Sequence, residues 1–344
     1  MLGSTAARTR VARPLAVATL LLATARTNAQ DGGGSGGLGK PPTPPVPART
    51  PAPERAPKPQ AAPGEINLAP RFRAGDVARY VMVNDQVSDT RSPSNPALDG
   101  RTTQKSEFGL VVRVKDSSPE GATIELVYES VKLEIDSAAI KGKFDSAAPP
   151  TKTPAPAPGA RGPALPGDLS DDEMLASMAR PMVGVTLTIK TDARGNILSV
   201  TGGEALSLGA GGPGIDPKAA AGWLITGTSG GRTAVRVGES WTNDDRLGGT
   251  PVGDLAMRTT HRLDRASRGE ADVSFTGRIQ PGSASGALQG IQIGPSTYAG
   301  QYVWDTESGQ LKSMRTESAV TLDGKFAGQD MSVKSRSAST VTRR

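Results

Sequence analysis

The composition of the chain limits both its chemistry and its partners. Its 344 residues include 42 glycines, 28 prolines and one histidine, but no cysteine. Without cysteine there are no disulfide bonds or thiolate metal sites, and one histidine cannot form a histidine-rich zinc site. The formal net charge is +6, but from residue 66 onward 32 basic residues face 31 acidic ones. The sequence therefore predicts no cofactor and no metal, and it argues against nucleic-acid binding, which needs a basic face.

The first 29 residues have the three-part pattern of a secretory signal peptide. Arginines precede an apolar run at residues 15–25, and small residues follow it. The run is too short for a membrane-spanning helix, which needs about 20 residues. Cleavage is expected after Ala29, with Ala25 as the alternative. The sequence predicts an exported protein of the periplasm, outer surface or medium, with no transmembrane helix after cleavage.

Two segments are rich in proline and predict disorder. Residues 30–66 form a Pro/Gly-rich linker, in which ten of the 23 residues at 41–63 are proline. A stretch of this kind buries little apolar surface and acts as a semi-rigid spacer that can reach roughly 70 Å. Residues 147–167 repeat this composition inside the chain and predict a disordered insertion.

Most of the sequence from residue 67 onward alternates between apolar and polar residues. The alternation is clear at residues 108–114, 124–128, 185–189 and 273–279. It is typical of half-buried antiparallel strands. The apolar positions shift by one near Ser130, which predicts a β-bulge.

Two segments predict short helices. The first has Ser170 and Glu173 as a capping box and ends at Pro181. Its acidic residues 171–173 are interpreted as complementing the helix dipole. The second, "IDPKAAAGWLI", has Asp216 as its cap and Pro217 at the first helical position.

The two halves of the chain contain the same parts in the same order. Each has a glycine-led opening strand, a long hairpin, another strand, and a glycine turn into a last strand. "GNILSV" at 195–200 and "GQLKSM" at 309–314 end the two series. The sequence predicts a mainly β fold of two duplicated curved antiparallel sheets, as half-barrels or sandwich-like lobes. Whether the two lobes pack together or form one continuous sheet stays open.

The predicted domain boundaries follow this division. The first lobe covers residues 67–205, and the second covers residues 232–344. Residues 206–231 join them as a helix and linker.

The order of short motifs resembles a group of exported bacterial proteins that is catalogued only as a domain of unknown function. The resemblance covers roughly residues 67–325. It implies an exported protein and brings no assigned catalytic residues. The motifs are F-x-x-G-D at Phe72, Gly75 and Asp76; F-D-S at Phe144, Asp145 and Ser146; M-x-G at Met182 and Gly184; and G-x-S-W at Gly238, Ser240 and Trp241.

One motif has the form of a hydrolase site. "GTSGG" fits G-x-S-x-G with Ser229 as the nucleophile, and His261 follows in the chain. A nucleophile elbow needs a strand before it and a helix after it, whereas here a helical segment precedes and a strand follows. His261 shares the parity of inward-facing apolar residues, which favours a structural histidine.

Three functions therefore remain as hypotheses. The first is a non-enzymatic binding or structural module on a proline-rich spacer, with an unknown envelope protein as partner. The second is a carrier of a lipid or other apolar ligand in the concave face of a curved sheet. A hydrolase using Ser229 and His261 is the third. For the carrier, the expected ligand-wall residues are Trp223, Trp241, Tyr302 and Trp304.

Overall fold

A computed structural model describes residues 64–149, 170–203, 222, 224–225, 233–250, 253–281, 291–326 and 329–344. The predicted signal peptide, nearly all of the proline-rich linker and most of the predicted insertion lie outside these residues. So do Ser229 and Trp223.

The described chain is mainly β, as predicted. One α-helix, α1, covers Asp171–Ala179, and short 3-10 turns lie at Pro96–Leu98 and Arg180–Met182. None of the described helices has the length and apolar character needed to cross a membrane. The strands are β1 (Glu65–Asn67), β2 (Val77–Arg91), β3 (Gly100–Ser118), β4 (Gly121–Asp136), β5 (Lys141–Asp145), β6 (Thr186–Asp192), β7 (Ile197–Thr201), β8 (Ala234–Arg236), β9 (Ser240–Thr250), β10 (Gly253–Ser267), β11 (Glu270–Pro281), β12 (Ile291–Ile293), β13 (Thr297–Asp305), β14 (Gln310–Phe326) and β15 (Gln329–Arg343).

The two predicted lobes are joined in one open antiparallel sheet. Its strand order is β7-β6-β4-β3-β2-β15-β14-β13-β11-β10-β9, with β5 added to β4 and β12 added to β14. The join is the pairing of β2 with β15, which runs from Arg91 opposite Ser332 to Tyr80 opposite Arg343. The first and last long strands of the described chain are thus neighbours, and β7 and β9 are the edges of the sheet.

One side of the sheet is buried, and we call it the inner face. Alternation along the strands places its residues opposite one another in register. The inner face includes Tyr80, Met82, Gln86 and Ser88 of β2; Gln104, Ser106, Phe108 and Leu110 of β3; Ile124, Leu126 and Tyr128 of β4; Thr259, His261 and Leu263 of β10; Val273 and Phe275 of β11; Tyr302 and Trp304 of β13; Met314, Thr316, Ser318, Val320 and Leu322 of β14; and Val333, Ser335, Ser337, Ser339 and Val341 of β15.

The opposite side, the outer face, is largely solvated and charged, although Val111 of β3 is buried there. Cross-strand ion pairs lie on it, such as Lys132 with Glu107 at 3.2 Å and Lys143 with Glu134 at 2.8 Å. Exposed pairs of this kind contribute little stability each. Burial of the inner face is therefore the main source of stability, because apolar burial is the dominant favourable term in folding.

The predicted bulge lies in β4. The register shifts between Gly109, opposite Ser130, and Leu110, opposite Tyr128, so that Glu129 is the extra residue. Because of this insertion, both Tyr128 and Val131 point to the inner face and are buried. The shift in the sequence pattern near Ser130 therefore reports a real change of register.

The capping box predicted for helix α1 is confirmed, and the helix also contacts β5, which the sequence did not reveal. Ser170 Oγ accepts from the Glu173 amide, and Glu173 accepts from the Ser170 amide. The Asp171 and Asp172 carboxylates accept backbone N–H groups of β5, from Lys141 at 2.8 Å and Lys143 at 2.7 Å. The interpretation of these acids as dipole partners alone was therefore incomplete, since they also cover the free edge of a short strand.

The second predicted helix is described at three residues only. Gly222, Leu224 and Ile225 are helical, and the two apolar side chains are buried in the core. The predicted cap at Asp216 lies outside the described residues.

Both halves open with the same backbone geometry. Gly75 has φ 90° and donates to the Val114 carbonyl at 2.9 Å. Gly238 has φ 87° and donates to the Leu263 carbonyl at 2.7 Å. This positive φ favours glycine, which explains the glycines at the two positions. The duplication itself stays a prediction. A duplicated unit would leave parallels of this kind between the two halves.

Candidate ligand-binding face

Aromatic rings form a cluster on the inner face near the β9 edge. Trp241, His261 and Phe275 lie side by side on three neighbouring strands. The Trp241 and His261 rings stack with centroids 5.5 Å apart, and the His261 and Phe275 centroids are 5.2 Å apart. The ring centroid of Tyr302 lies 6.3 Å from the ring centroids of both His261 and Phe275. Two of the predicted ligand-wall residues therefore belong to one cluster.

A glycine in the next strand makes room for this cluster. Gly300 lies directly opposite Phe275 in register. A Cβ at this position would lie 2.6 Å from Phe275 Cζ and closer still to the Arg315 carbonyl oxygen. The ring of Phe275 therefore packs over bare backbone, in the way aromatic residues cover strand glycines.

His261 points inward, as its parity predicted. Its Nε2 lies 2.8 Å from Thr259 Oγ1, and the side chain is fully buried. The hydrolase hypothesis pairs His261 with Ser229, which lies outside the described residues, so that pairing stays a prediction.

Two buried indoles carry a hydrogen-bond donor that the described protein does not use. Trp304 is 1% exposed and Trp241 is 5% exposed. The Nε1 of each has no acceptor within the described part of the chain. Buried indole N–H groups normally find a partner, so these two donors are exceptions within the described residues. The fourth predicted wall residue, Trp223, lies outside the described residues.

The centre of the inner face is polar, which the sequence analysis missed. We define the polar band as the inner-face residues of four adjacent strands that carry only hydroxyl or amide groups. They are Thr316 and Ser318 of β14; Ser335, Ser337 and Ser339 of β15; Asn84, Gln86 and Ser88 of β2; and Thr102, Gln104 and Ser106 of β3.

The band is ordered by its cross-strand register. Ser318, Ser337, Gln86 and Gln104 form one row across the four strands. All four are buried. A neighbouring row runs from Thr316 to Ser106, parallel to the first. The sheet therefore builds a continuous polar surface from residues far apart in sequence.

Hydrogen bonds satisfy part of the band. The Ser318 and Ser337 hydroxyls lie 2.8 Å apart, and Ser339 Oγ donates to Asn84 Oδ1 at 2.8 Å. Gln104 is 5% exposed, and its Oε1 has no donor within the described residues. A buried amide oxygen without a donor is costly, so Gln104 is the position where the band lacks a partner.

The inner face has little ionised chemistry. Burial raises the pKa of Tyr80 to about 12 and also raises the pKa of Tyr128, so both phenols stay neutral. The ion pair of Arg343 and Asp305, at 2.8 Å, lies at the end of β15 and β13 rather than in the band. Within the described ranges, no group of three or more histidine or acidic residues could hold a metal ion.

The residues that carry the motif resemblance have structural roles. Phe144, Met182 and Trp241 are buried in the core. Ser146 Oγ accepts from the Val131 amide at 3.0 Å and continues the β4–β5 pairing. The motifs therefore mark turns and core contacts, and their order follows the order of the strands.

Comparison with solved structures gives distant likenesses. No protein-family model and no curated protein matches the chain. A structure on lipid–protein interactions in lipovitellin has a TM-score of 0.41 at 12% identity, over 80% of this chain and 25% of that chain. The Pseudomonas aeruginosa proteins OpdQ and OccK11 (OpdR) have TM-scores of 0.22 and 0.20 at 8% and 9% identity. They cover 78% and 79% of this chain and 99% and 98% of their own. This chain spans about a quarter of the lipovitellin chain.

Proposed function

We propose that this protein is a non-enzymatic binding module of the cell envelope that holds an apolar ligand against the inner face of its sheet. Export rests on the signal-peptide pattern of the first 29 residues. The binding role rests on the inner face.

The observation that carries the proposal is the pair of buried indole donors at Trp241 and Trp304. A protein interior normally satisfies its polar groups, whereas a ligand site keeps a few polar groups convergent on an otherwise apolar wall. Each Nε1 atom lies among buried apolar and aromatic side chains and has no acceptor within the described residues, which supports a polar group on an otherwise apolar wall.

The outer face supports the same assignment by contrast. Its charged side chains pair with one another across strands, as Lys115 does with Glu125 and Arg265 with Asp272. Such a face suits contact with water. The inner face alone combines apolar area with unused hydrogen-bonding groups.

A titration with Nile red tests the proposal. Nile red is a neutral apolar dye with a carbonyl acceptor. Two of the chain's three tryptophans lie on the inner face, so bound dye should quench tryptophan emission by energy transfer. We expect saturable binding at one or two sites per chain, and a lipid that co-purifies with the full-length protein in native mass spectrometry.

Two variants locate the dye. Trp304→Phe and Trp241→Phe each keep an aromatic ring and remove the indole donor. We expect the energy transfer to decrease by the share that the replaced tryptophan contributed. The dye affinity should fall roughly threefold. Absence of both saturable dye binding and co-purified lipid would overturn the proposal.

A further inference from the structure

The inner face combines apolar ends with a neutral polar centre. We propose that its ligand is a neutral glycerolipid, with one free hydroxyl and ester carbonyls over the polar band and acyl chains along the apolar parts on either side. This inference rests on the proposed function and names its ligand class.

The position of the polar band sets the shape of the ligand. Along the strands, the band is followed on one side by Met82, Phe108 and Met314, and on the other by Leu322 and Val333. The hydrogen-bonding group of the ligand therefore lies between two apolar portions. A diacylglycerol has this arrangement, because its glycerol esters separate two hydrocarbon chains.

The absence of charged residues in the polar band indicates that the head group of the ligand is uncharged. Its residues are serine, threonine, asparagine and glutamine, and all are neutral. A phosphate or carboxylate placed there would be desolvated without a cationic partner, which is strongly unfavourable. Arg343, at the end of β15, is already paired with Asp305. The band therefore favours an uncharged ligand over a phospholipid or a fatty acid.

The unsatisfied amide of Gln104 indicates which hydrogen-bonding group the ligand carries. Its buried Oε1 needs a donor. If the amide is turned over, its N–H group needs an acceptor instead. A hydroxyl is both donor and acceptor and satisfies either orientation. The neighbouring serine and threonine hydroxyls can donate to ester carbonyls.

Competition against bound Nile red tests the ligand class on the full-length protein. The competitors are dioleoylglycerol, oleic acid, dioleoyl phosphatidylglycerol and squalane. We expect dioleoylglycerol to displace the dye at concentrations at least tenfold lower than the two anionic lipids. Equal displacement by all four, or a preference for an anionic lipid, would overturn this inference and leave the proposed function in place. Absence of both dye binding and co-purified lipid would instead overturn the proposed function.

A matched pair of variants tests the role of the polar band. Gln104→Leu removes the unsatisfied amide from the inner face, whereas Gln301→Leu makes the same change at an exposed position of β13. We expect Gln104→Leu to weaken dioleoylglycerol binding roughly three- to tenfold once displacement is corrected for the dye affinity of each variant, and Gln301→Leu to leave dioleoylglycerol binding unchanged. Unchanged dioleoylglycerol affinity in Gln104→Leu would contradict the inference. If that variant does not fold, Gln104→Met, which keeps nearly the length of glutamine and also removes the amide, makes the same test.

Discussion

Asp305, the last residue of β13, is a carboxylate that hydrogen bonds hold in its ionised form. Asp305 accepts from the backbone N–H groups of Glu307 at 3.0 Å and Ser308 at 2.9 Å, and from the Arg343 guanidinium at 2.8 Å. Burial is the largest single influence and raises the pKa of Asp305, but these hydrogen bonds together lower it from 3.8 to about 2. The ionised form of Asp305 therefore ties β15, the last strand, to the β13–β14 turn.

The lowered pKa converts into a stability that depends on pH. The fall of the Asp305 pKa from 3.8 to about 2 corresponds to about 2.5 kcal/mol. The Asp305 side chain is 22% exposed, and solvent screening reduces the contribution to about 1–2 kcal/mol. Because the folded-state pKa is depressed, this stability is present in full above the unfolded pKa and is lost as the pH falls through about 2.

Urea unfolding of Asp305→Asn and wild type from pH 7 to pH 2 measures the effect. We expect the variant to be about 1–2 kcal/mol less stable at pH 7, with a difference that shrinks from about pH 5 toward pH 2. Asp244→Asn is the control, because Asp244 is 65% exposed and pairs with a solvated arginine, Arg258. We expect no measurable change from it. A difference between Asp305→Asn and wild type that is the same at pH 7 and at pH 2 would refute the linkage.

Two further substitutions test packing and capping. Gly300→Ala should destabilise the fold by about 1–3 kcal/mol in urea unfolding, because the added methyl overlaps Phe275 and a backbone carbonyl. Gly100→Ala, where nothing lies within 4 Å of the new methyl, should change stability little, and an equal loss in both variants would contradict the packing argument. Ser170→Ala removes the cap of α1 and should destabilise this helix by about 0.5–2 kcal/mol, measured as faster hydrogen exchange of the α1 amides. Unchanged exchange would show that the contacts of Asp171 and Asp172 with β5 hold the helix without its cap.

The sequence predicted those strands whose inner positions are apolar. Leu110, Val112 and Val114 of β3 alternate with outward residues and reveal the period directly. The capping box at Ser170 and Glu173 gave α1 for a similar reason, because both partners lie within one turn of chain. Local patterns of this kind need no knowledge of the rest of the fold.

The polar band was missed because its strands lack that apolar signal. Along β15 the inner positions read Val333, Ser335, Ser337, Ser339 and Val341. Hydrophobic periodicity does not distinguish such a strand from a solvated loop. The pairing of β15 with β2 also joins residues about 250 positions apart, and no local motif specifies a contact at that separation.

The polar band lies across the join between the two halves, and this couples ligand binding to closure of the sheet. Ser335 lies 3.0 Å from Ser88, and Ser339 donates to Asn84, so β15 and β2 share hydrogen bonds between side chains as well as backbones. Neither half alone contains the complete band. A ligand seated on it would bind only the closed sheet, and any molecule that binds only the folded state stabilises it in proportion to the logarithm of its concentration. A neutral lipid should therefore protect the β2–β15 amides from hydrogen exchange more than the amides of the edge strands β7 and β9, whereas a ligand bound at either edge would give the opposite pattern.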